Sequence, residues 1–152
     1  MSMPDLIETQ RATVAEHIRA ENAKEWPAVY DTFIDGDGSY YDVVPLSARF
    51  EGKSGVRDFY QMIDAAFPDF RIVVTGEYDT PGCSIREVKI SGTHQGDYLG
   101  IPGSGKPMRI DLAAFFLFGT GADASRLVAE RIYFDNDALL RQLRGDAIAP
   151  AG

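Results

Sequence analysis

The sequence has 152 residues, of which 45% are hydrophobic and 25% charged, and it carries a formal net charge of −8. One domain with its own core is expected at this length, and the acidic balance argues against a surface for nucleic acid or anionic membrane, which requires clustered Lys and Arg. The only cysteine, Cys83, excludes an internal disulfide and a thiolate metal cluster and suits a reducing cytoplasm; no apolar run approaches a membrane span, and Met1 to Asp5 lacks the basic start of a leader.

In chain order, residues 4–23 place Leu6, Ile7, Val14 and Ile18 at helical spacing behind Pro4 and Asp5, which suit a first turn. Within that helix His17, among Glu16, Arg19 and Glu21, reads as a solvated residue. A short helix from Trp26 to Phe33 ends in Asp35-Gly36-Asp37-Gly38, and Tyr40 to Val44 reads as a short strand before Pro45. From Ser54 to Phe67, Val56, Phe59, Tyr60, Ile63 and Phe67 share one helical face, stopped by Pro68.

Beyond Phe70 the period becomes strand-like, over 70–78, 84–93, 108–118 and 127–134, with glycine-containing turns between the runs. Asn136 to Leu143 returns to a helical pattern. Helices followed by a meander predict an α+β domain over residues 1–145, its curved, mainly antiparallel sheet wrapped on the N-terminal helices around a conical cavity, with 146–152 as a flexible tail.

Several segments together resemble a known family. They are Tyr41-Asp42-Val43-Val44-Pro45, Phe67-Pro68-Asp69-Phe70, Gly92-Thr93-His94-Gln95-Gly96, Gly100-Ile101-Pro102, Glu130 to Asp135 and Leu139 to Leu143. In this order they are similar to the SnoaL-like polyketide cyclases, also called ester cyclases. The resemblance implies the cone-shaped α+β barrel of the nuclear transport factor 2-like (cystatin-like) fold and a homodimer. It also implies a cofactor-independent, metal-free enzyme of lyase or isomerase type that closes a ring on a polyketide ester by aldol chemistry.

Such chemistry needs a base for a proton beside a carbonyl and an acid for the oxygen that becomes a hydroxyl. The resemblance puts the acid-base aspartate on Asp135 and a neighbouring histidine on His94. Read from the residues alone, Asp135 directly before a helix is also a preferred N-cap, and His94 at a strand end also suits a simple bond to a nearby carbonyl. Both catalytic roles require the two side chains to face one cavity. Tyr30, Tyr60 and Tyr133 are the candidate substrate-binding residues, since a phenol offers an apolar face and a donor to an aromatic or polyketide-like small molecule.

Other motifs lead elsewhere. Gly100 to Lys106 satisfies the GxxxxGK part of a phosphate loop, but Pro107 stands where Ser or Thr is needed and a strand follows where a helix should, so a hairpin loop is expected. Arg109 and Asp111 lie opposite Met108, Ile110 and Leu112, at a subunit interface or on a polar cavity wall; Glu87, Lys89, Glu130 and Arg131 admit the same two readings. Two alternatives to the cyclase follow: a non-catalytic binding protein for a small apolar or aromatic ligand, and an epoxide hydrolase requiring Arg109, Asp111 and Asp135 to converge inward.

Overall fold

The computed structural model describes residues 2–146 of the chain. Helix α1 spans Met3–Ala23 and begins in a capping box: the Ser2 hydroxyl accepts from the Asp5 N–H while the Asp5 carboxylate accepts from the Ser2 N–H. It ends at Lys24, whose left-handed backbone (φ 59°) lets its N–H reach the last carbonyls of the helix. Helix α2 (Trp26–Asp31), strand β1 (Tyr40–Val43), a short 3-10 turn at Val44–Leu46, strand β2 (Ala48–Glu51) and helix α3 (Gly52–Ala66) follow. Strands β3 (Arg71–Thr80), β4 (Cys83–Thr93), β5 (Pro107–Phe118) and β6 (Leu127–Phe134) precede helix α4 (Asn136–Arg144).

The expected α+β architecture is present, with N-terminal helices packed on one six-stranded sheet in the order β2-β1-β6-β5-β4-β3. Only β1 and β6 pair in parallel; the other neighbours are antiparallel. The sheet is curved but not closed, with β2 and β3 as its two edges. Strand β2 was not expected: its four residues alternate Ala48 and Phe50, half-buried, with exposed Arg49 and Glu51, too short a run to stand out in the sequence.

Strand alternation assigns the two faces. On β5, Met108, Ile110, Leu112, Ala114 and Phe116 point toward the helices, and on β6 Glu130, Ile132 and Phe134 do the same. The opposite parity faces outward: Tyr133 packs edge-on against Phe115 at 5.4 Å, and Lys89 pairs with Asp111 at 2.8 Å with both side chains exposed. Arg109 and Asp111 are therefore not on the cavity wall, which removes the inward convergence an epoxide hydrolase would require. Of the residues given those two readings, Glu130 takes the cavity-wall one, because its parity matches Ile132 rather than Arg131. The expected tail, 146–152, lies outside the described residues beyond Asp146.

Candidate active site

Helices α1 and α3 and the concave face of the sheet enclose a cavity lined by 24 residues, of which only Glu21 and Glu130 are charged. Its volume is about 90 Å³.

The polar floor begins on α1. Gln10, Val14, His17 and Glu21 follow one another at steps of four, three and four, so they share the face that a helix presents to a core. All four are buried, His17 completely. The expectation of a solvated His17 is thus corrected. Its neighbours Glu16 and Arg19 pair with each other in solvent on another face, while the imidazole turns inward.

Inside, His17 Nε2 lies 3.0 Å from Glu21 Oε1 and 2.9 Å from Glu130 Oε1. The Tyr60 hydroxyl lies 3.0 Å from the same nitrogen and donates to Glu130 Oε1 at 3.2 Å, and the Tyr41 hydroxyl donates to Glu130 Oε2 at 3.0 Å. Behind the ring, Nδ1 meets the Thr32 hydroxyl at 2.9 Å, and that hydroxyl spends its only proton on the Val29 carbonyl at 2.7 Å. Thr32 must then accept, so Nδ1 carries a proton. Nε2, facing two carboxyl groups, needs one as well, and the ring is an imidazolium.

The electrostatics agree with this proton count. Burial by itself pushes the imidazolium down, but Glu21 and Glu130 outweigh it and His17 is pushed up to about 10. Burial also pushes the Glu21 carboxyl up, against the pull of His17 and with the help of Glu130. Both phenols, Tyr41 and Tyr60, are held well above 10, first by burial and then by the neighbouring carboxylates. The floor therefore stores protons at several adjoining sites within hydrogen-bond reach, inside an otherwise apolar space, which is the physical setting for acid-base work.

The expected site residues are distributed differently. Tyr60 is on the cavity wall and fully buried. Tyr30 is half-buried behind it, its ring 6.2 Å from that of Tyr60, and Tyr133 is on the outer face of the sheet, 38% exposed. Asp135 is exposed, and its carboxylate accepts from the Ala138 N–H at 3.0 Å as the N-cap of α4. His94 is completely buried against Phe67, in the loop between β4 and β5. The Ser104 N–H donates to its Nδ1 at 3.2 Å, which leaves the proton on Nε2, where it has no partner.

Neither Asp135 nor His94 lines the cavity. The two belong to one end of the molecule, linked through Tyr98, which packs on Phe67 and donates to Asn136 Oδ1 at 2.8 Å, but they do not share a cavity face. Parity explains it: Asp135 continues the outward set of Arg131 and Tyr133. The loop 100–106 runs directly into β5, a hairpin connection rather than a phosphate loop. Among the described residues no cluster of His, Cys, Asp and Glu suits a metal ion.

Sequence reasoning passed over His17, Glu21 and Glu130 as a set. The available signal was polar residues at the core positions of α1, continuing Val14, together with one acidic residue at the inward parity of β6. That signal becomes a site only once α1 is laid across β6.

A curved, unclosed sheet backed by N-terminal helices is the ketosteroid isomerase-like, nuclear transport factor 2-like fold. Solved structures share the fold. A protein from Jannaschia sp. CCS1 assigned to the SnoaL-like polyketide cyclases superposes with a TM-score of 0.81 at 17% identity, over 93% of this chain and 96% of that one. AclR from Streptomyces galilaeus, assigned as a hydroxylase, gives 0.76 at 17% identity, over 98% and 87%. A protein of ketosteroid isomerase-like fold from Catenulispora acidiphila gives 0.71 at 16% identity, over 91% and 97%. No curated protein matches the chain in sequence. The SnoaL-like polyketide cyclase family model matches residues 11–143, and the chain belongs to that family.

Proposed function

We propose that this protein is a cofactor-independent acid-base enzyme acting on a small carbonyl or ester substrate, by aldol cyclisation or isomerisation, with the His17–Glu21–Glu130 floor as its catalytic group. The observation that supports it is the pair of carboxyl groups joined through one imidazole nitrogen at 2.9 and 3.0 Å on the wall of an apolar cavity. Glu130 removes a proton from the carbon beside the carbonyl. The resulting enolate oxygen faces the Glu21 carboxyl, which burial pushes toward its protonated form. In a cyclisation the enolate carbon then attacks a second carbonyl of the same molecule, and that oxygen takes up a proton to become the hydroxyl. In an isomerisation the proton held by Glu130 returns to a different carbon.

The test needs no knowledge of the natural substrate. Exchange of the α-hydrogens of a cyclic ketone in D2O, followed by proton NMR, reports the first step directly. Wild type should accelerate it, and Glu130→Gln should lower the acceleration by about 10²- to 10⁴-fold. Asp135→Asn should change it less than threefold; loss there with Glu130→Gln unaffected would return the base to Asp135, with His94 beside it. Retention of the ketone with no exchange in wild type would make the protein a ligand carrier.

We also infer a homodimer formed through the outer sheet face, supported by Val73, Tyr78 and Tyr133, which are 52%, 55% and 38% exposed there. A cytoplasmic setting is supported by the lone free Cys83 and would be overturned by recovery of the protein from the secreted fraction. Among the described residues no helix is long and apolar enough to cross a membrane.

A further inference from the structure

The cavity's spare hydrogen-bonding capacity restricts what it can hold. Three tyrosines reach its wall, and each has already spent its hydroxyl proton: Tyr41 and Tyr60 donate to Glu130, and Tyr98 donates to Asn136. The strand backbones on the wall are engaged in the sheet ladder. The remaining lining residues, apart from Glu21 and Glu130, are aliphatic, aromatic or Met. A ligand therefore meets donors at the floor and nowhere else along its body.

We infer that the substrate class of this site is a lean ketone or enone, a hydrocarbon body that carries its carbonyl oxygens at the floor end and no hydroxyls along its length, and not a polyhydroxylated aromatic polyketide. The inference rests on the acid-base reading for its choice of head group, but the body's chemistry follows from the wall alone. Away from the three phenol oxygens, a hydroxyl on the body meets only aliphatic and aromatic carbon or Met and loses the bonds it made to water, which weakens binding by about tenfold or more for each such group. A carbonyl at the floor keeps a partner there in the Glu21 carboxyl.

A matched series tests this: 1-tetralone, 6-hydroxy-1-tetralone and 6,7-dihydroxy-1-tetralone, titrated by calorimetry and by the fluorescence of Trp26. The chain has one tryptophan, and its ring lies 5.6 Å from that of Tyr60 and 6.1 Å from that of Phe70, both on the cavity wall, so occupancy is reported from next to the site. The expected result is tightest binding of the unsubstituted ketone and a loss of about tenfold or more with each hydroxyl. Equal or tighter binding of the hydroxylated ketones overturns the inference, as does failure of all three to bind. α-Hydrogen exchange measured on the same samples separates the two claims. Binding in the expected order without exchange, or with exchange that survives Glu130→Gln, removes the acid-base reading and leaves the ligand class standing.

Discussion

Raising the pH from 7 to 9 should destabilise the folded protein steeply, and His17 is the main reason. In the unfolded chain its imidazole titrates near 6.5; in the fold it is pushed up to about 10 by Glu21 and Glu130 despite complete burial. A proton bound more tightly in the native state stabilises that state in full below pH 6.5. The contribution then falls as pH rises, because the unfolded ring has released its proton while the folded one has not. Over the whole interval it is on the order of 5 kcal/mol, and between pH 7 and 9 the slope is about 1.4 kcal/mol per pH unit, or about 3 kcal/mol in all. The raised Glu21 carboxyl acts in the same direction, its contribution lost as pH rises from the ordinary carboxylate range through its own folded value. Urea denaturation of the wild type at half-unit steps from pH 6 to 9.5 measures the slope, and ¹⁵N NMR of the imidazole identifies its source. A flat stability profile, or a His17 resonance that titrates near 6.5, would refute the proton count on which the candidate site is built.

Two further outcomes follow from the same contacts. Thr32→Val keeps the side-chain shape but removes the acceptor for Nδ1–H, so His17 should titrate lower by NMR and the fold should lose about 1–3 kcal/mol in urea; an unmoved titration would show that Thr32 does not set the ring's protonation. On the outer face, Tyr133→Asp places a charge beside Phe115, and sedimentation should show a wild-type dimer and a variant monomer, whereas a wild-type monomer would remove that interface.

Much of the fold was legible because it rests on local rules. The apolar period of α3 and its stop at Pro68, the alternation along β4, β5 and β6, and the glycine turns between them each act within a dozen residues. Strand β2 escaped because four residues with one strong apolar side chain carry no period. The site was less legible. Asp135 stands at a strand-to-helix junction where cap and catalyst have the same sequence, and the bond to the Ala138 N–H separates them only in three dimensions. His17 was read by its sequence neighbours, yet a helix places residues 16 and 19 on a different face from 17.

What the sequence determined by itself was the class of the domain, its strand parity and hence which side chains could face inward together. The tertiary structure alone decided that Glu21 and Glu130, 109 positions apart along the chain, meet on one imidazole nitrogen. The physical reason is one of range. Helix and strand periods fix the direction of each side chain from its nearest neighbours, whereas a buried charge cluster exists only where separate elements cross. There each group's desolvation is offset by partners that no local pattern can name.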